Sequence, residues 1–182
     1  NDRLPALARA AIARRLGVAC AAPEIAPAWR APGASFVTLT TARGALRGCI
    51  GTLEAWRPLV DDVQANAQAA AFEDPRFPPL AVDELPRIRV EVSLLTPPES
   101  LPRMGRAELA AVVRPGIDGL IVRDALGRRA TFLPQVWEQL PGLDLFLAQL
   151  KLKAGIDPST DDRELVWARY QVEKYREARG DR

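Results

Sequence analysis

The clearest pattern in the chain is an alternation of apolar and polar residues in the stretch from Arg87 to Thr96. The apolar positions of this stretch are Ile88, Val90, Val92 and Leu94. Successive side chains of a β-strand point to opposite faces of the sheet, so this pattern predicts a strand that is buried on one face only. The fold must therefore contain a sheet with one apolar and one polar face.

The remaining strand signals occur as hairpins or isolated pieces between helices. Strands are predicted at residues 35–41, 45–53, 87–96, 120–124, 129–133 and 164–174, and helices at residues 4–16, 58–72, 106–113 and 144–154. Asp2 is the predicted cap of the first helix, and Pro134 is expected to open a further short helix. The regular strand-helix-strand order of a doubly wound parallel sheet is missing, which predicts an α+β fold.

Composition excludes several classes of function. Twenty-five basic and twenty-three acidic residues alternate along the chain and leave a formal charge of +2, which argues against a nucleic-acid-binding protein. The chain lacks an apolar run of about 18 residues, which predicts no membrane span. Cys20 and Cys49 are too few for a disulfide framework and favour a reducing compartment. We therefore expect a soluble, cytoplasmic protein.

The chain contains no histidine. This removes Ser-His-Asp and Cys-His nucleophile systems and histidine-ligated zinc. Any catalysis must use cysteine, carboxylates, arginine, lysine, tyrosine or a borrowed cofactor. No dinucleotide-binding fingerprint is present, and we assign no cofactor and no metal.

The segment LRGCIG, residues 46–51, departs from an ordinary strand because Gly48 and Gly51 contribute no side-chain packing. With regular pleating, Arg47, Cys49 and Gly51 would share one face and line a shallow hollow. Arg47 would then favour the thiolate form of Cys49. The alternative is that Cys49 is a small buried residue and Arg47 a solvated charge. A bulge at Gly48 would also separate the two side chains.

A second candidate segment is the loop at residues 73–80, which is stiffened by three prolines. Asp74 and Arg76 in this loop would lose little backbone freedom on binding a ligand. The alternative is a local Asp-Arg pair that closes a turn. Gln135 and Lys153 are weaker candidates, since helix capping and interaction with the helix dipole explain both.

Six blocks of the sequence resemble the hallmark blocks of AMMECR proteins (AmmeMemoRadiSam system protein A), in the same order. They are LRGCIGTL at residues 46–53, DPRFPPL at 74–80, ELPRIRVEVSLLTPPE at 84–99, DGLIV at 118–122, LPQVW at 133–137 and KAG at 153–155. The resemblance implies a single domain over residues 1–182 with a two-lobed α+β fold, in which a mostly antiparallel sheet is flanked by helices. We expect a larger lobe at about residues 1–98 plus 156–182, and a smaller lobe at about 99–155.

The resemblance also implies a site and partners. Its candidate site residues are Arg47, Gly48, Cys49, Ile50, Gly51, Asp74, Arg76 and Phe77, with the LRGCIG segment facing a cleft between the lobes. Relatives are encoded with a Memo-like protein and a radical S-adenosylmethionine protein. Many relatives have histidine where this chain has Asp118, and several archaeal ones have cysteine near Lys151, so a mechanism needing either residue does not transfer.

Two hypotheses follow. In the first, the protein is an accessory or catalytic subunit of a redox or modification reaction with those partners, with Cys49 reactive and Arg47 supporting an anion or the thiolate. In the second, it is a non-enzymatic module that binds a small anion or a peptide, and Cys49 only lines the site.

Overall fold

The structure, a computed structural model, describes residues 3–177. The proposed helix cap Asp2 lies outside these residues. Over the described range the helices are α1 (Arg3–Arg15), α2 (Leu59–Phe72), α3 (Arg106–Val112) and α4 (Leu143–Lys153). The strands are β1 (Ala34–Thr41), β2 (Leu46–Gly51), β3 (Ile88–Leu95), β4 (Glu99–Ser100), β5 (Gly119–Arg123), β6 (Arg129–Phe132), β7 (Val166–Tyr170) and β8 (Val172–Arg176). The α+β class predicted from the sequence is confirmed.

The chain divides into two compact units, each with its own four-stranded sheet and its own core. Within the described residues, unit 1 consists of residues 3–95 and 173–177, and unit 2 is Thr96–Val172. The predicted smaller lobe ended at about residue 155, but residues 156–172 belong to unit 2. They do so because β7 pairs with β5 and because Ile156 and Trp167 lie in the core of that unit.

Unit 1 is a sheet in the order β2-β1-β3-β8 with helices on one face. The central strand β1 is antiparallel to both β2 and β3. Val37 and Leu39 of β1 lie opposite Val92 and Val90 of β3, and these four side chains form the apolar face that the alternation predicted. Residues of α1 and α2 complete this core, and the two helices also contact each other. Strand β2 is therefore at the edge of the sheet.

Unit 2 is a second antiparallel sheet in the order β4-β7-β5-β6. Its core is mostly aliphatic but contains a stacked aromatic pair, Trp137 and Phe146, with 3.7 Å between the ring centroids. The Trp137 indole N–H donates to the Asp118 carbonyl at 2.8 Å, which fixes the start of β5. Strand β6 is at the edge of this sheet and contacts α4.

One predicted strand is two strands in different sheets. The alternation at residues 164–174 continues without a break in the sequence, yet β7 belongs to unit 2 and β8 pairs within unit 1. The break falls at Gln171, whose backbone N–H donates to Thr96 Oγ1 and whose carbonyl accepts from the Thr96 N–H. Local periodicity reports which face a residue occupies, not which sheet it joins.

No helix within residues 3–177 is long and apolar enough to span a bilayer.

Candidate functional site

The LRGCIG segment forms β2, but its register against β1 contains a β-bulge. Leu39 lies opposite Gly48, whereas the next residue, Thr40, lies opposite Leu46, so Arg47 is the extra residue of β2. A bulge of this kind interrupts the alternation of side chains. The regular pleat that would place Arg47 beside Cys49 is therefore broken, one residue before the Gly48 position considered from the sequence.

Cys49 is held through its backbone by the second candidate segment. Its N–H donates to Asp74 Oδ2 at 2.9 Å, and its carbonyl accepts from Arg76 Nη2 at 3.2 Å. Arg76 also donates to both oxygens of Asp74, from Nε at 2.9 Å and from Nη2 at 2.7 Å. Since β2 is an edge strand, the Asp74–Arg76 pair takes the place that a neighbouring strand would occupy. The Asp74–Arg76 pair is thus a local ion pair, as in the turn-closing alternative, and also binds the backbone of Cys49.

The electrostatics of this pair keep both groups charged. The hydrogen bonds from Arg76, helped by the Cys49 and Arg76 backbone N–H groups, hold the pKa of the Asp74 carboxyl well below its ordinary value although burial opposes this. Asp74 in turn raises the pKa of Arg76. The Asp74 residue is 3% exposed, whereas the Arg76 side chain is 53% exposed. The Asp74–Arg76 pair, called the clamp below, is therefore buried at its carboxylate and solvent-exposed at its guanidinium.

Arg47 is bound to a different partner. Its Nε and Nη2 atoms donate to the two carboxylate oxygens of Glu84 at 2.8 and 2.9 Å, and its Cζ lies 5.9 Å from the centre of the Phe77 ring. Arg47 lowers the pKa of Glu84. Among the described residues, Arg47 Nη1 is the one buried side-chain nitrogen or oxygen without a hydrogen-bond partner. Arg47 is therefore a buried, paired charge, and its guanidinium is engaged by Glu84.

Glycine is required at the two positions of the segment for different steric reasons. A Cβ on Gly48 would lie 2.1 Å from the Ala70 carbonyl oxygen of α2, so helix and strand approach too closely for any side chain. A Cβ on Gly51 would meet the ring of Phe36, its cross-strand partner, at 2.2 Å. The open space expected over Gly51 is therefore filled by Phe36. Ile50 faces the opposite way and packs against the core of unit 1.

The thiol of Cys49 lies on the face of the sheet opposite the helices. It is half-buried, and its Sγ is 3.3 Å from Thr38 Oγ1 of β1. Thr38 lies directly opposite Glu91 of β3, and Glu91 forms ion pairs with Lys174 and Arg176 of β8. A row of polar side chains thus crosses all four strands from the thiol to the far edge.

A buried polar network at the start of α2 was missed from the sequence. Asp62, in the first turn of α2, is fully buried and accepts from Ser35 Oγ at 2.6 Å, Arg57 Nε at 2.8 Å and Asn66 Nδ2 at 2.9 Å. Asn66 Nδ2 also donates to Thr52 Oγ1 at 3.1 Å. The available signal was the spacing of Asp62 and Asn66, one turn apart beside the apolar stripe of the helix. The network ties α2 to one end of the β1–β2 pair, where β1 begins and β2 ends.

The candidates of unit 2 serve its structure. Asp118 is buried and accepts from Arg114 Nη2 at 2.9 Å, and Lys151, fully buried, donates to Thr160 O and pairs with Asp162, both at 2.6 Å. Lys153 Nζ donates to the Thr131 carbonyl at 3.0 Å. Both positions at which this chain departs from the expected family pattern therefore carry a buried charged residue that is ion-paired, Asp118 with Arg114 and Lys151 with Asp162.

Two further observations bound the chemistry. Cys20 is exposed, and it and Cys49 are both free thiols. No group of three or more Cys, Asp or Glu side chains in the described part of the chain is arranged to hold a metal ion. Gln135 is exposed on a short helical turn, Pro134–Glu138. Of the two cysteines, Cys49 is the one whose side chain and backbone contact Thr38, Asp74 and Arg76.

Comparisons with known proteins place the chain in a family. The sequence matches the AMMECR1 family over residues 5–175. Protein LS215_2104 of Saccharolobus islandicus is 40% identical over 158 residues, which cover 82% of this chain and 68% of that protein. A protein of Methanothermobacter thermautotrophicus is 43% identical over 145 residues, which cover 78% of this chain and 74% of that protein.

The fold also matches a solved structure, that of Uncharacterized Protein PH0010 from Pyrococcus horikoshii. The TM-score is 0.73 with 33% sequence identity, over 96% of this chain and 90% of that chain. The resemblance inferred from the six sequence blocks is confirmed by a match that spans nearly all of the described residues. The chain belongs to the AMMECR1 family.

Proposed function

We propose that this protein acts with a Memo-like protein and a radical S-adenosylmethionine protein in a redox or modification reaction, as an accessory or catalytic subunit whose reactive group is Cys49. Membership of the AMMECR1 family supports the choice of partners. The free state of both cysteines fits a reducing, cytoplasmic location. The geometry around Cys49 supports its role.

The observation that carries this proposal is the clamp on the Cys49 backbone. Asp74 and Arg76 bind the N–H and the carbonyl of the same residue, so both peptide groups of Cys49 are fixed while its thiol stays half-buried and free. A nucleophile on a fixed backbone needs little reorganisation before it reacts. The ion pair, buried at Asp74 and exposed at Arg76, thus positions Cys49 in addition to capping the edge strand.

The other candidate residues have supporting roles in this proposal. Gly48 and Ile50 fix β2 against α2 and the core, and Gly51 allows Phe36 to cover the end of the strand. Phe77 contacts both guanidinium groups, with Arg76 Cζ at 5.6 Å from its ring centre and Arg47 Cζ at 5.9 Å. The exposed end of Arg76 is the group that would meet a small anionic ligand.

Arg47 acts at a distance in this arrangement. Its charge is neutralised by Glu84, so it does not favour the thiolate directly. It anchors the bulge to the turn Val82–Arg87 and thereby sets the position of Cys49 two residues later. Arg47 is a positioning residue for the thiol.

The test uses the two cysteines as mutual references. In a Cys20→Ser variant the alkylation of Cys49 by iodoacetamide is followed against pH, and a Cys49→Ser variant gives the same curve for the exposed Cys20. A reactive Cys49 alkylates with a lower midpoint pH than Cys20. A midpoint at or above that of Cys20 would remove the nucleophile role.

The partners are tested separately. The full chain and its Cys49→Ser variant are used to pull down the Memo-like and radical S-adenosylmethionine proteins from cells that encode all three. Retention of both proteins by the wild-type chain supports the partnership, and mass spectrometry of the retained material identifies any small molecule. Retention of neither protein contradicts the partnership.

A second candidate function is a non-enzymatic module that binds a small anion or a peptide. It is favoured by the Arg47–Glu84 pair, because an arginine engaged in this way does not activate a thiol. Under this alternative the Cys49→Ser variant keeps full activity in cells, while Arg76→Lys, which retains the charge but loses the forked geometry, reduces it. Loss of activity in Cys49→Ser supports the first candidate, under which Arg76→Lys also reduces activity because Arg76 holds the Cys49 carbonyl.

A further inference from the structure

Thr38 of β1 lies directly opposite Cys49 of β2. Its position opposite Cys49 is a pair in which Cys49 turns its N–H and carbonyl away from β1, toward Asp74 and Arg76. Pairs of this kind in antiparallel sheets bring the two side chains closest together. The Sγ and Oγ1 atoms are accordingly 3.3 Å apart.

The hydrogen bond that the Thr38 hydroxyl makes is the one to the Cys49 sulfur. Within residues 3–177, Oγ1 of Thr38 has no hydrogen-bond partner besides the sulfur. The β-branched side chain of threonine has restricted χ1 freedom on a strand, so the hydroxyl is held in place. A threonine that served only sheet packing would not need to direct its hydroxyl at a thiol.

From this geometry we infer that Thr38 is a positioning residue that holds the Cys49 sulfur and donates its O–H to the ionised thiol; the inference rests on the proposed role of Cys49. In the neutral state either atom can be the donor. Once the thiol has lost its proton, only the hydroxyl can donate, so the bond stabilises the charged form selectively. A methyl group in its place offers no such bond.

Several charged groups also lie near the Cys49 thiol. Those next to its backbone, Asp74 and Arg76, are paired with each other. On β3, Glu91 and Arg89 share the face of the thiol, and Glu91 is paired with β8. The charged residues of α2, on the opposite face, are Asp61 and Asp62 in its first turn. Substitutions of Thr38 change none of these groups, so a change in thiol ionisation reports the hydroxyl.

The test compares Thr38→Val with Thr38→Ser, each in the Cys20→Ser background. Valine keeps the shape and branching of threonine but removes the hydroxyl, whereas serine restores the hydroxyl. Alkylation of Cys49 by iodoacetamide is measured across pH. The midpoint pH is the correct readout, because a less acidic thiol is also a better nucleophile and the rate at one pH partly cancels the effect.

We expect Thr38→Val to weaken ionisation of Cys49 roughly fivefold, which raises the alkylation midpoint by about 0.7 pH units. Thr38→Ser is expected to return the midpoint to that of the Cys20→Ser parent. A midpoint unchanged in Thr38→Val, or raised equally in Thr38→Ser, overturns the inference. Altered access to the thiol would change only the plateau rate at high pH.

The outcome is separable from that of the proposed function. The proposed function fails if Cys49 alkylates no more readily than Cys20 at low pH. The role of Thr38 is read from the difference between the valine and serine variants, whatever the absolute midpoint of Cys49.

Discussion

The two edge strands β2 and β6 both have exposed backbone groups that are bound by side chains, but with different consequences. Each is the last strand of its sheet, and each has a carbonyl bound by a basic side chain from a later segment. Arg76 binds the Cys49 carbonyl at 3.2 Å, and Lys153 binds the Thr131 carbonyl at 3.0 Å. Edge strands expose unpaired backbone groups, so such caps prevent pairing with other chains.

The two sheets also share a second device. In each, an aromatic ring lies over the glycine directly opposite it, Phe36 over Gly51 in unit 1 and Tyr170 over Gly119 in unit 2. In unit 2 the ring is also held by a hydrogen bond, since Tyr170 OH bonds Thr131 Oγ1 at 2.8 Å. Burial raises the pKa of Tyr170 to about 12, which keeps it a neutral partner.

The two capped residues, Thr131 and Cys49, differ in the burial and the partners of their side chains. The hydroxyl of Thr131 is buried and bonds both Leu120 O and Tyr170 OH at 2.8 Å. The thiol of Cys49 is half-buried, and within residues 3–177 its side-chain partner is Thr38. Under the proposed function, the cap of unit 1 presents a reactive atom, whereas the cap of unit 2 contributes to stability. Four changes test this comparison, from the largest expected effect to the smallest.

Gly48→Ala should be the most damaging. The new methyl group would lie 2.1 Å from a backbone oxygen of α2, so the helix itself must move. We expect a loss of about 3 kcal/mol or more in the free energy of unfolding. Gly119→Ala is the matched control in unit 2, since its obstacle is the Tyr170 side chain at 2.5 Å, and it should cost about 1–3 kcal/mol. Denaturant unfolding measures both, and equal costs would contradict the close approach of α2 to β2.

Asp74→Asn should destabilise the protein by about 2 kcal/mol, because hydrogen bonds to a buried charged group are lost. Amide hydrogen exchange at Cys49 should accelerate as its acceptor weakens. Asp124→Asn is the control in unit 2: Asp124 binds Arg128 and turn N–H groups but holds no neighbouring strand. Faster exchange at Cys49 in the control as well would show that the clamp is not specific.

The same carboxylate predicts a dependence of stability on pH. The pKa of Asp74 is lower in the folded chain than in the unfolded chain, so its stabilisation is complete above the unfolded value of about 3.9 and is lost as pH falls toward the folded value. The difference in stability between wild type and Asp74→Asn should therefore be constant from about pH 7 to 5 and shrink toward pH 3. A constant difference down to pH 3 would contradict it.

Thr131→Cys, in a chain with both natural cysteines changed to serine, places a thiol at the capped position of unit 2. Since Thr131 is only 9% exposed, we expect its replacement to alkylate roughly tenfold more slowly than Cys49 in the Cys20→Ser chain, measured at high pH. Equal rates would mean that the two capped positions do not differ in access.

Lys153→Met should have the smallest effect, about 1 kcal/mol, because one hydrogen bond is lost while the aliphatic stem is retained. Lys174→Met on β8, whose ammonium lies 3.8 Å from Glu91 at the surface, is the control and should change stability by less than about 0.5 kcal/mol. If Lys153→Met is as mild as the control, Lys153 contributes nothing as an edge cap.

Much of the fold was predictable because its signals are local. The alternation at residues 87–96 predicted β3, and Gly17 and Gly155, both with positive φ, ended the helices where expected. The break at Gln171 was not predictable, since both strands alternate in the same way. For the site, the sequence indicated Cys49, Asp74 and Arg76 but not that the pair binds the backbone of the cysteine.

By itself, the sequence determined the elements, the family and the residue types available for chemistry, because periodicity, glycine positions and the lack of histidine are properties of short segments. Tertiary structure alone decided that Arg47 lies on a bulge and pairs with Glu84, 37 residues away, and that Asp74 reaches Cys49 across 25 residues. Such contacts depend on how the chain closes around its core, which burial of the whole apolar surface determines and no local pattern records.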